Sequence, residues 1–251
     1  MINFLEYKKV LITGASSGIG RETAIFFSKQ GAQLAITGRN ESQLNETLKM
    51  LDGHSHSVYV ADLSSIDSLS VLMGSICEDI GELDGIVHCA GILKHLPLQA
   101  LREHHFDDIF NTNVKSAQFL LKEFRKKGRY NPNSSSFVLL SSVAASRGEA
   151  SISTYAASKA AIEGLSKSLA VELARQNIRV NCIAPGQVKT EMYLNTSTSF
   201  TPEQLQYLSD RHPLGLGLPE DVAHAAAFLV SNYSKWITGT VLAVDGGYSV
   251  N

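Results

Sequence analysis

The stretch Lys9-Val-Leu-Ile-Thr13-Gly14-Ala-Ser-Ser-Gly18-Ile-Gly20 decides the fold that this sequence predicts. The apolar run after Lys9 indicates a buried strand, the glycines indicate a loop, and a helical pattern continues through Phe26 and Phe27 to Gln30. Glycines permit positive φ and let a backbone approach a pyrophosphate, whose charge meets the N–H groups at a helix start. Taken alone, they could form only a tight strand–helix turn, so the following elements decide.

The rest of the chain alternates between strands and helices. This alternation predicts an α/β fold: one Rossmann-type domain over residues 1–251, with a doubly wound parallel sheet of about seven strands and helices on both faces. We expect a long helix from about Leu101 to Lys127, a helix from Pro219 to Ser231 and, because residues 187–218 lack strong periodicity, a substrate lid there. The further predicted strands are Gln33–Thr37, Ser57–Ala61, Leu83–His88, Phe137–Leu140, Arg179–Ala184 and one around Thr240–Val244.

Composition and charge exclude several classes of protein. The 251 residues are 44% hydrophobic with a formal net charge of -2, so no basic field for nucleic acid is present. No apolar run approaches the roughly 18 residues of a membrane span, and the stretch Met1–Lys9 lacks a signal-peptide core, so we expect a cytoplasmic protein. Cys77, Cys89 and Cys182 are odd in number, scattered and set among apolar neighbours, which predicts free buried thiols.

Tyr155 and Lys159 lie four residues apart in a helical pattern, which places them on one face, one turn apart. A nearby ammonium favours a phenolate, so we expect Lys159 to lower the pKa of Tyr155 and to make it an acid/base group. The alternative is a tyrosine that covers the apolar face beside a snorkelling lysine. The predicted core-facing stripe contains Tyr155, Lys159, Ile162, Ser166, Leu169 and Leu173.

Polar residues also follow other predicted strands, where open α/β sheets bind ligands. Arg39 stands where NAD-binding folds usually carry an acidic residue, so we expect a 2′-phosphate and preference for NADP(H), against a solvated loop arginine. Asp62 could accept a hydrogen bond from adenine or cap the next helix. Ser141 and Ser142 follow a short buried strand, and Asn113 is either a surface residue or a retained site residue.

The histidines do not indicate a metal site. His88 ends a predicted strand and is interpreted as a satisfied core histidine. His54-x-His56 and the pair His104-His105 are interpreted as loop and surface residues, because no carboxylate or thiol completes a ligand set at metal spacing. We therefore predict no bound metal.

Together, these motifs resemble the short-chain dehydrogenase/reductase family over essentially the whole chain. The stretch Trp236-Ile-Thr-Gly-Thr-Val-Leu-Ala-Val-Asp245-Gly-Gly looks like the bacterial 3-oxoacyl-[acyl-carrier-protein] reductase branch and its relatives. Two departures are His88-Cys89 where the family often has Asn-Asn, and Val-Ala-Ala after Ser142 in place of a run that reaches glycine. The matching motifs are Thr13-Gly14-x-x-x-Gly18-x-Gly20, Asp62, Ala90-Gly91, Asn113, Ser142, Tyr155-x-x-x-Lys159 and Pro185-Gly186.

The resemblance implies an oxidoreductase that moves hydride between NADP(H), favoured over NAD(H), and a carbonyl or secondary alcohol. It implies that Tyr155 is the acid/base, Ser142 binds the substrate oxygen, Lys159 binds the nicotinamide ribose, and Asn113 holds a relay water. The implied cofactor-binding residues are Gly14, Ser16, Ser17, Gly18, Ile19, Gly20, Arg39, Asp62, Leu63, Ala90, Gly91, Tyr155, Lys159, Pro185, Gly186, Val188 and Thr190.

Partners and substrate are less sharply indicated. The helix face with Ala157, Ala160, Gly164 and Ser168 would let a twin helix approach closely, which predicts a two-fold dimer within the tetramer usual for the family. The basic stretch 125–129 could dock an acyl carrier protein, or it could simply favour the helix dipole. A 3-oxoacyl thioester leads the substrates, with sugars, polyols and hydroxysteroids as alternatives. A non-catalytic nucleotide sensor is the rival class, although a sensor needs only the glycine loop.

Overall fold

Seven parallel strands form one sheet in the computed structural model, which describes residues 3–197 and 201–251. Their order across the sheet is β3-β2-β1-β4-β5-β6-β7, so the chain begins in the middle and winds outward in both directions. The strands are β1 (Lys9–Thr13), β2 (Gln33–Gly38), β3 (Ser57–Val60), β4 (Gly85–His88), β5 (Ser135–Leu140), β6 (Ile178–Pro185) and β7 (Val241–Val244).

Helices connect the strands and cover both faces of the sheet. A π-helical turn, Asn111–Lys115, joins two of them. The α-helices are α1 (Gly18–Lys29), α2 (Glu41–Met50), α3 (Ile66–Ile80), α4 (Glu103–Phe110), α5 (Ser116–Phe124), α6 (Ser153–Leu173), α7 (Glu191–Ser197), α8 (Pro202–Asp210) and α9 (Pro219–Val230).

The sheet separates two apolar cores, because successive side chains of a strand point to opposite faces. In β1, Leu11 joins the core beneath α3, α5 and α6, whereas Val10 and Ile12 join the core beneath α1, α2 and α9. Phe137 is fully buried in the first core and Phe27 in the second. Burial on both sides explains why the strands read as continuous apolar runs.

The predicted strands match the structure to within one or two residues at each end, but one helix prediction needs correction. The long helix predicted from Leu101 to Lys127 begins at Glu103, is interrupted by the π turn, and ends at Phe124. The segment predicted as a lid, 187–218, contains two helices, α7 and α8, and its role as a lid stays a prediction. Residues 198–200 of that segment lie outside the described residues.

The described ranges contain neither a membrane-spanning helix nor a cluster of metal-binding side chains. No helix in residues 3–197 or 201–251 is long and apolar enough to cross a membrane. Within the same ranges, no cluster of three or more His, Cys, Asp or Glu side chains could hold a metal ion. Cys77, Cys89 and Cys182 are all free thiols, as predicted, but only Cys182 is buried, and the other two are partly exposed.

Candidate active site

The carboxyl ends of the central strands meet at one edge of the sheet, because all the strands run parallel. Thr13 ends β1, His88 ends β4, Leu140 ends β5 and Pro185 ends β6. The loops that leave these four strands line a cleft.

Two glycines, one in the loop between β1 and α1 and one in the first turn of α1, have no room for a side chain. Gly14 adopts φ +64°, and a Cβ there would lie 2.9 Å from the Ala90 nitrogen. A Cβ on Gly20 would lie 2.2 Å from the Gly14 carbonyl oxygen, far inside any real contact. Ser17 caps α1 without a side-chain hydrogen bond, so no hydroxyl competes for the first-turn N–H groups. This loop fits a phosphate group, which those N–H groups and the helix dipole would bind.

Arg21 fixes the glycine loop from behind. Its guanidinium donates to the Ser16 carbonyl oxygen and, at 3.1 Å, to the Thr47 hydroxyl. It also lies 3.9 Å from a carboxylate oxygen of Glu191, at the start of α7. The loop is therefore tied to α2 and to the segment predicted as a lid.

Two adjoining cavities make up the cleft, and the predicted cofactor residues line one or the other. Ile19, Gly91 and Thr190 belong to the walls of both, so the two cavities adjoin each other. The first is also lined by Gly14, Ser16, Ser17, Gly18, Gly20, Arg39, Asp62, Leu63 and Ala90. The second is also lined by Ser142, Tyr155, Lys159, Pro185, Gly186 and Val188.

Arg39 and Asp62 lie on the outer wall of the first cavity, both exposed. Arg39 forms no hydrogen bond or ion pair with the described part of the chain, so its guanidinium is available to a ligand anion. Asp62 Oδ1 accepts hydrogen bonds from the Ser64 N–H (3.0 Å) and hydroxyl (2.8 Å), which lower the pKa of the Asp62 carboxyl. Ser65, and not Asp62, is the N-cap of α3.

Tyr155 and Lys159 project from α6 toward the end of β5. The predicted stripe is correct, since Lys159, Ile162, Ser166 and Leu173 are buried. Lys159 Nζ donates a 2.7 Å hydrogen bond to the Leu140 carbonyl oxygen and lies 5.5 Å from the centre of the Tyr155 ring. The Tyr155 phenol and the Ser142 hydroxyl line the same cavity, close enough for Ser142 to lower the pKa of the phenol. The geometry therefore joins the three side chains that the sequence placed in one centre.

The pKa of Tyr155 differs from the prediction. Burial raises it above the ordinary tyrosine value, the hydrogen bond from Ser142 opposes that shift, and the Glu149 carboxylate adds to it. Burial also lowers the pKa of Lys159 to about 8, so its ammonium is still mostly charged at pH 7. The prediction failed because it weighed the ammonium and not the desolvation of the phenol, which is the larger effect here.

Asn113 is buried and not on the surface. Its Oδ1 accepts from the Ile92 N–H at 2.8 Å, and its amide donates to the Ile92 carbonyl and to the Ser158 hydroxyl, both at 3.0 Å. Both amide hydrogens are thus used within the protein. The side chain holds the turn after Ala90 in place, and its role in a water relay stays a prediction.

Several residues that line the cavities were not predicted from the sequence. Thr112 lines the first cavity, and only its position between Asn111 and Asn113 could have indicated that it belongs to the site. Glu149 and Gln187 line the second cavity, but a polar residue in a loop carries no signal that distinguishes it from a solvated one. Cys89 faces both cavities, and burial raises the pKa of its thiol to about 12.

A phenol, a hydroxyl and an ammonium beside a phosphate-binding loop are the equipment of a dehydrogenase or reductase that uses a dinucleotide. A family model described as "Enoyl-(Acyl carrier protein) reductase" matches residues 14–249. The chain belongs to the short-chain dehydrogenase/reductase family and is an oxidoreductase.

Individual relatives match this chain over nearly its full length. The chain is 36% identical to the 3-oxoacyl-[acyl-carrier-protein] reductase FabG of Chlamydia trachomatis, over 98% of this chain and 99% of that protein. It is 34% identical to a glucose 1-dehydrogenase of Gluconobacter oxydans, over 97% and 92% of the two chains. Among solved structures, a single-residue variant of actinorhodin polyketide ketoreductase with NADPH superposes with a TM-score of 0.91, at 28% identity over 98% of each chain.

We expect Gly20→Ala to abolish dinucleotide binding and to destabilise the fold, because its Cβ would overlap the Gly14 carbonyl. Gly74→Ala is the control: it lies inside α3 with nothing within 4 Å of its Cβ, so it should gain about 0.5–1 kcal/mol. Thermal unfolding and a fluorescence titration with NADPH measure both effects. Normal binding by Gly20→Ala would contradict this account of the loop.

We expect Glu149→Gln to shift the pH dependence of carbonyl reduction. The Glu149 carboxylate raises the pKa of Tyr155, so its removal lowers that pKa. If the neutral phenol donates the proton in reduction, the alkaline fall in rate moves to lower pH. A kcat profile against pH measures the shift. Glu172→Gln, near the far end of α6, is the control, and a shift to higher pH in Glu149→Gln would refute the assignment.

Proposed function

We propose that the protein is an NADP(H)-dependent carbonyl reductase or alcohol dehydrogenase, with a 3-oxoacyl thioester as its leading substrate. The observation that carries the proposal is that Ser142, Tyr155 and Lys159 line one cavity, with the buried Lys159 ammonium 5.5 Å from the centre of the Tyr155 ring. That cavity adjoins the one at the glycine loop. A dinucleotide that spans both cavities would have its phosphates at the loop and its reactive ring beside Tyr155.

In this proposal, the chain's own residues handle the oxygen of the substrate. Ser142 and Tyr155 both donate hydrogen bonds to a carbonyl oxygen, and Tyr155 gives it a proton as negative charge develops. Lys159 keeps positive charge beside the phenolate that remains, which favours its formation. The nicotinamide, when bound, supplies or accepts the hydride.

Two hydroxyl donors that converge on one atom favour C=O reduction and the reverse oxidation. The matching family model carries the name of an enoyl reductase, but reduction of a C=C bond requires a proton at carbon and does not need this pair. A nucleotide sensor would need the loop and not the pair. The two converging hydroxyl donors therefore favour catalysis on a carbonyl or secondary alcohol.

The proposed preference for NADP(H) rests on Arg39, whose exposed side chain lines the first cavity and forms no hydrogen bond or ion pair with the described part of the chain. Asp62 lines the same cavity and interacts with Arg39 electrostatically, but its carboxylate accepts hydrogen bonds from Ser64. A ribose 2′-phosphate would lie near a cation here. The solved ketoreductase in the comparison holds NADPH.

The substrate proposal follows from the walls of the second cavity and from the relatives. Leu93, Val143, Ile152, Val188 and Tyr193 provide an apolar wall that suits an acyl chain. FabG relatives are named as 3-oxoacyl-[acyl-carrier-protein] reductases, whereas the glucose 1-dehydrogenase relative supports a sugar or polyol as the alternative. A hydroxysteroid also fits an apolar wall.

The basic stretch 125–129 does not favour docking of a carrier protein at this site. It follows the C-terminus of α5, and the Arg129 carbonyl accepts a hydrogen bond from the Leu83 N–H just before β4, so the stretch lies at the amino-terminal edge of the sheet and the cleft at the carboxyl edge. The Glu123 carboxylate also neutralises part of the stretch, with Lys126 Nζ at 2.6 Å and Arg129 Nη1 at 2.5 Å. Its alternative explanation, cations that favour the dipole of α5, is the better supported one.

We also propose that α7 and α8 close over the substrate.

A further proposal is that α6 packs against the same helix of a second copy of the chain. Ala157, Ala160, Gly164 and Ser168 are all exposed, and nothing lies within 4 Å of a Cβ built on Gly164. A glycine inside an exposed helix costs about 1 kcal/mol unless another backbone approaches it. This supports a two-fold dimer, as half of a tetramer.

We expect Tyr155→Phe to lower kcat by at least about 10²-fold, because it deletes the proton donor and keeps the ring. NADPH binding, measured by fluorescence, should change little. Tyr233→Phe is the control, since Tyr233 is 68% exposed and lies outside both cavities. The assay follows NADPH absorbance with a panel of ketones, acyl thioesters and sugars. A near-normal kcat in Tyr155→Phe would overturn the mechanism.

We expect Arg39→Ala to raise KM for NADPH by about tenfold or more and to leave KM for NADH nearly unchanged, because only the 2′-phosphate loses a charged partner. Lys49→Ala, an exposed cation at the end of α2, controls for net charge. Steady-state kinetics with both dinucleotides measure the ratio. A wild-type preference for NADH that Arg39→Ala leaves intact would remove the argument for NADP(H).

A further inference from the structure

His88 is a buried histidine with a hydrogen-bond partner on each ring nitrogen. Only 3% of the residue is exposed, at the end of β4. Its Nδ1 lies 3.0 Å from the Thr13 hydroxyl on β1, and its Nε2 lies 3.3 Å from the Ser116 hydroxyl at the start of α5. The imidazole thus connects two elements that both lead into the candidate site.

The proton positions along this connection follow from the partners. Ser116 spends its one hydroxyl proton on the Thr112 carbonyl oxygen, at 2.5 Å, so its oxygen must accept from His88 Nε2–H. Burial lowers the pKa of His88 to about 3, helped by the charge of Lys159, so the ring is neutral. Nδ1 of a neutral Nε2–H ring is an acceptor, and the Thr13 hydroxyl donates to it. The Thr13 oxygen in turn accepts from the Ala90 N–H at 3.1 Å.

The result is one directed chain of hydrogen bonds, from the Ala90 N–H through Thr13, His88 and Ser116 to the Thr112 carbonyl. Its first end is the turn that carries Gly91, where a Cβ would lie 3.5 Å from Lys159 Nζ. Its second end is the π turn, which contains Asn113. Asn113 holds Ile92 by both backbone groups, so the same turn is fixed from two sides.

We propose that His88, as the neutral Nε2–H tautomer, is a positioning residue that sets the Ala90–Ile92 turn against the π turn and thereby places Lys159 and Asn113 for the reaction. The residue touches neither cavity itself. It acts through Thr13 and Ser116, and its contribution to rate rests on the proposed function. The tautomer and the chain rest on the structure alone.

The first experiment reads the tautomer without substrate. ¹⁵N NMR of histidine-labelled protein should show Nε2 protonated and Nδ1 unprotonated for His88, with no titration between about pH 5 and about pH 8, where an ordinary imidazole titrates. The His88→Gln variant identifies the signal. An Nδ1–H tautomer, or titration within that range, would sink the proposal whatever reaction the enzyme catalyses.

The second experiment tests positioning by a double-mutant cycle in kcat at saturating NADPH. His88→Phe and Ser116→Ala should each lower kcat by on the order of tenfold, since small misplacements near reacting groups carry large rate costs. Because both break one chain, the double variant should lose little more than His88→Phe alone. His88→Gln, whose amide reaches about as far as Nε2, should restore part of the rate. Losses that multiply would show independent, merely structural roles and would refute positioning.

Ser166→Ala is the matched control for Ser116→Ala. Ser166 is also fully buried and donates to a carbonyl oxygen of its own helix, that of Glu163, at 3.0 Å. It should change stability similarly and leave kcat nearly unchanged; an equal fall in kcat would refute the specific role of the chain. If His88→Phe does not fold, Ser116→Ala against Ser166→Ala decides. A wild-type enzyme that reduces no carbonyl would defeat the proposed function, while the NMR result would still judge the tautomer.

Discussion

The burial of one ammonium group constrains the whole candidate site. Only 6% of Lys159 is exposed, and a charge in that position is costly unless it is hydrogen-bonded. The Leu140 carbonyl, at the end of β5, accepts a hydrogen bond from the Lys159 ammonium. That bond fixes the height of α6 against the sheet and so brings Tyr155 to Ser142. A Cβ on Gly91 would lie 3.3 Å from Asn113 Oδ1 and 3.5 Å from Lys159 Nζ, so a side chain there would crowd both groups.

Polar side chains behind the cavity do as much to shape the site as those that line it. Asn113 spends its amide on Ile92 and Ser158, and His88 connects Thr13 with Ser116. Each buried polar atom of these connections has a partner, which is the condition for a polar network to rigidify a core. The departure from the usual family pattern at His88 thus introduces a connection and not a defect. The turn that it supports lies in the wall of the dinucleotide cavity.

Most of the fold could be predicted from the sequence because its signals are local. A run of apolar residues followed by glycines, as at Lys9–Gly20, specifies a strand, a loop and a helix in one step, and the parallel order then gathers the strand ends. The π turn could not be predicted, since it depends on the Asn113 side chain meeting Ile92, 21 residues earlier in the chain. The raised pKa of Tyr155 reflects burial by several elements at once, which spacing alone does not report. Glu149 was invisible for a similar reason, because only the folded loop brings it to the phenol.

Thr190 and Met192 form part of the wall of both cavities, and the neighbouring Glu191 reaches Arg21, which grips the glycine loop. The two cavities therefore share one wall segment, residues 190–192. A displacement of this segment would change the shape of both cavities and of the glycine loop at the same time.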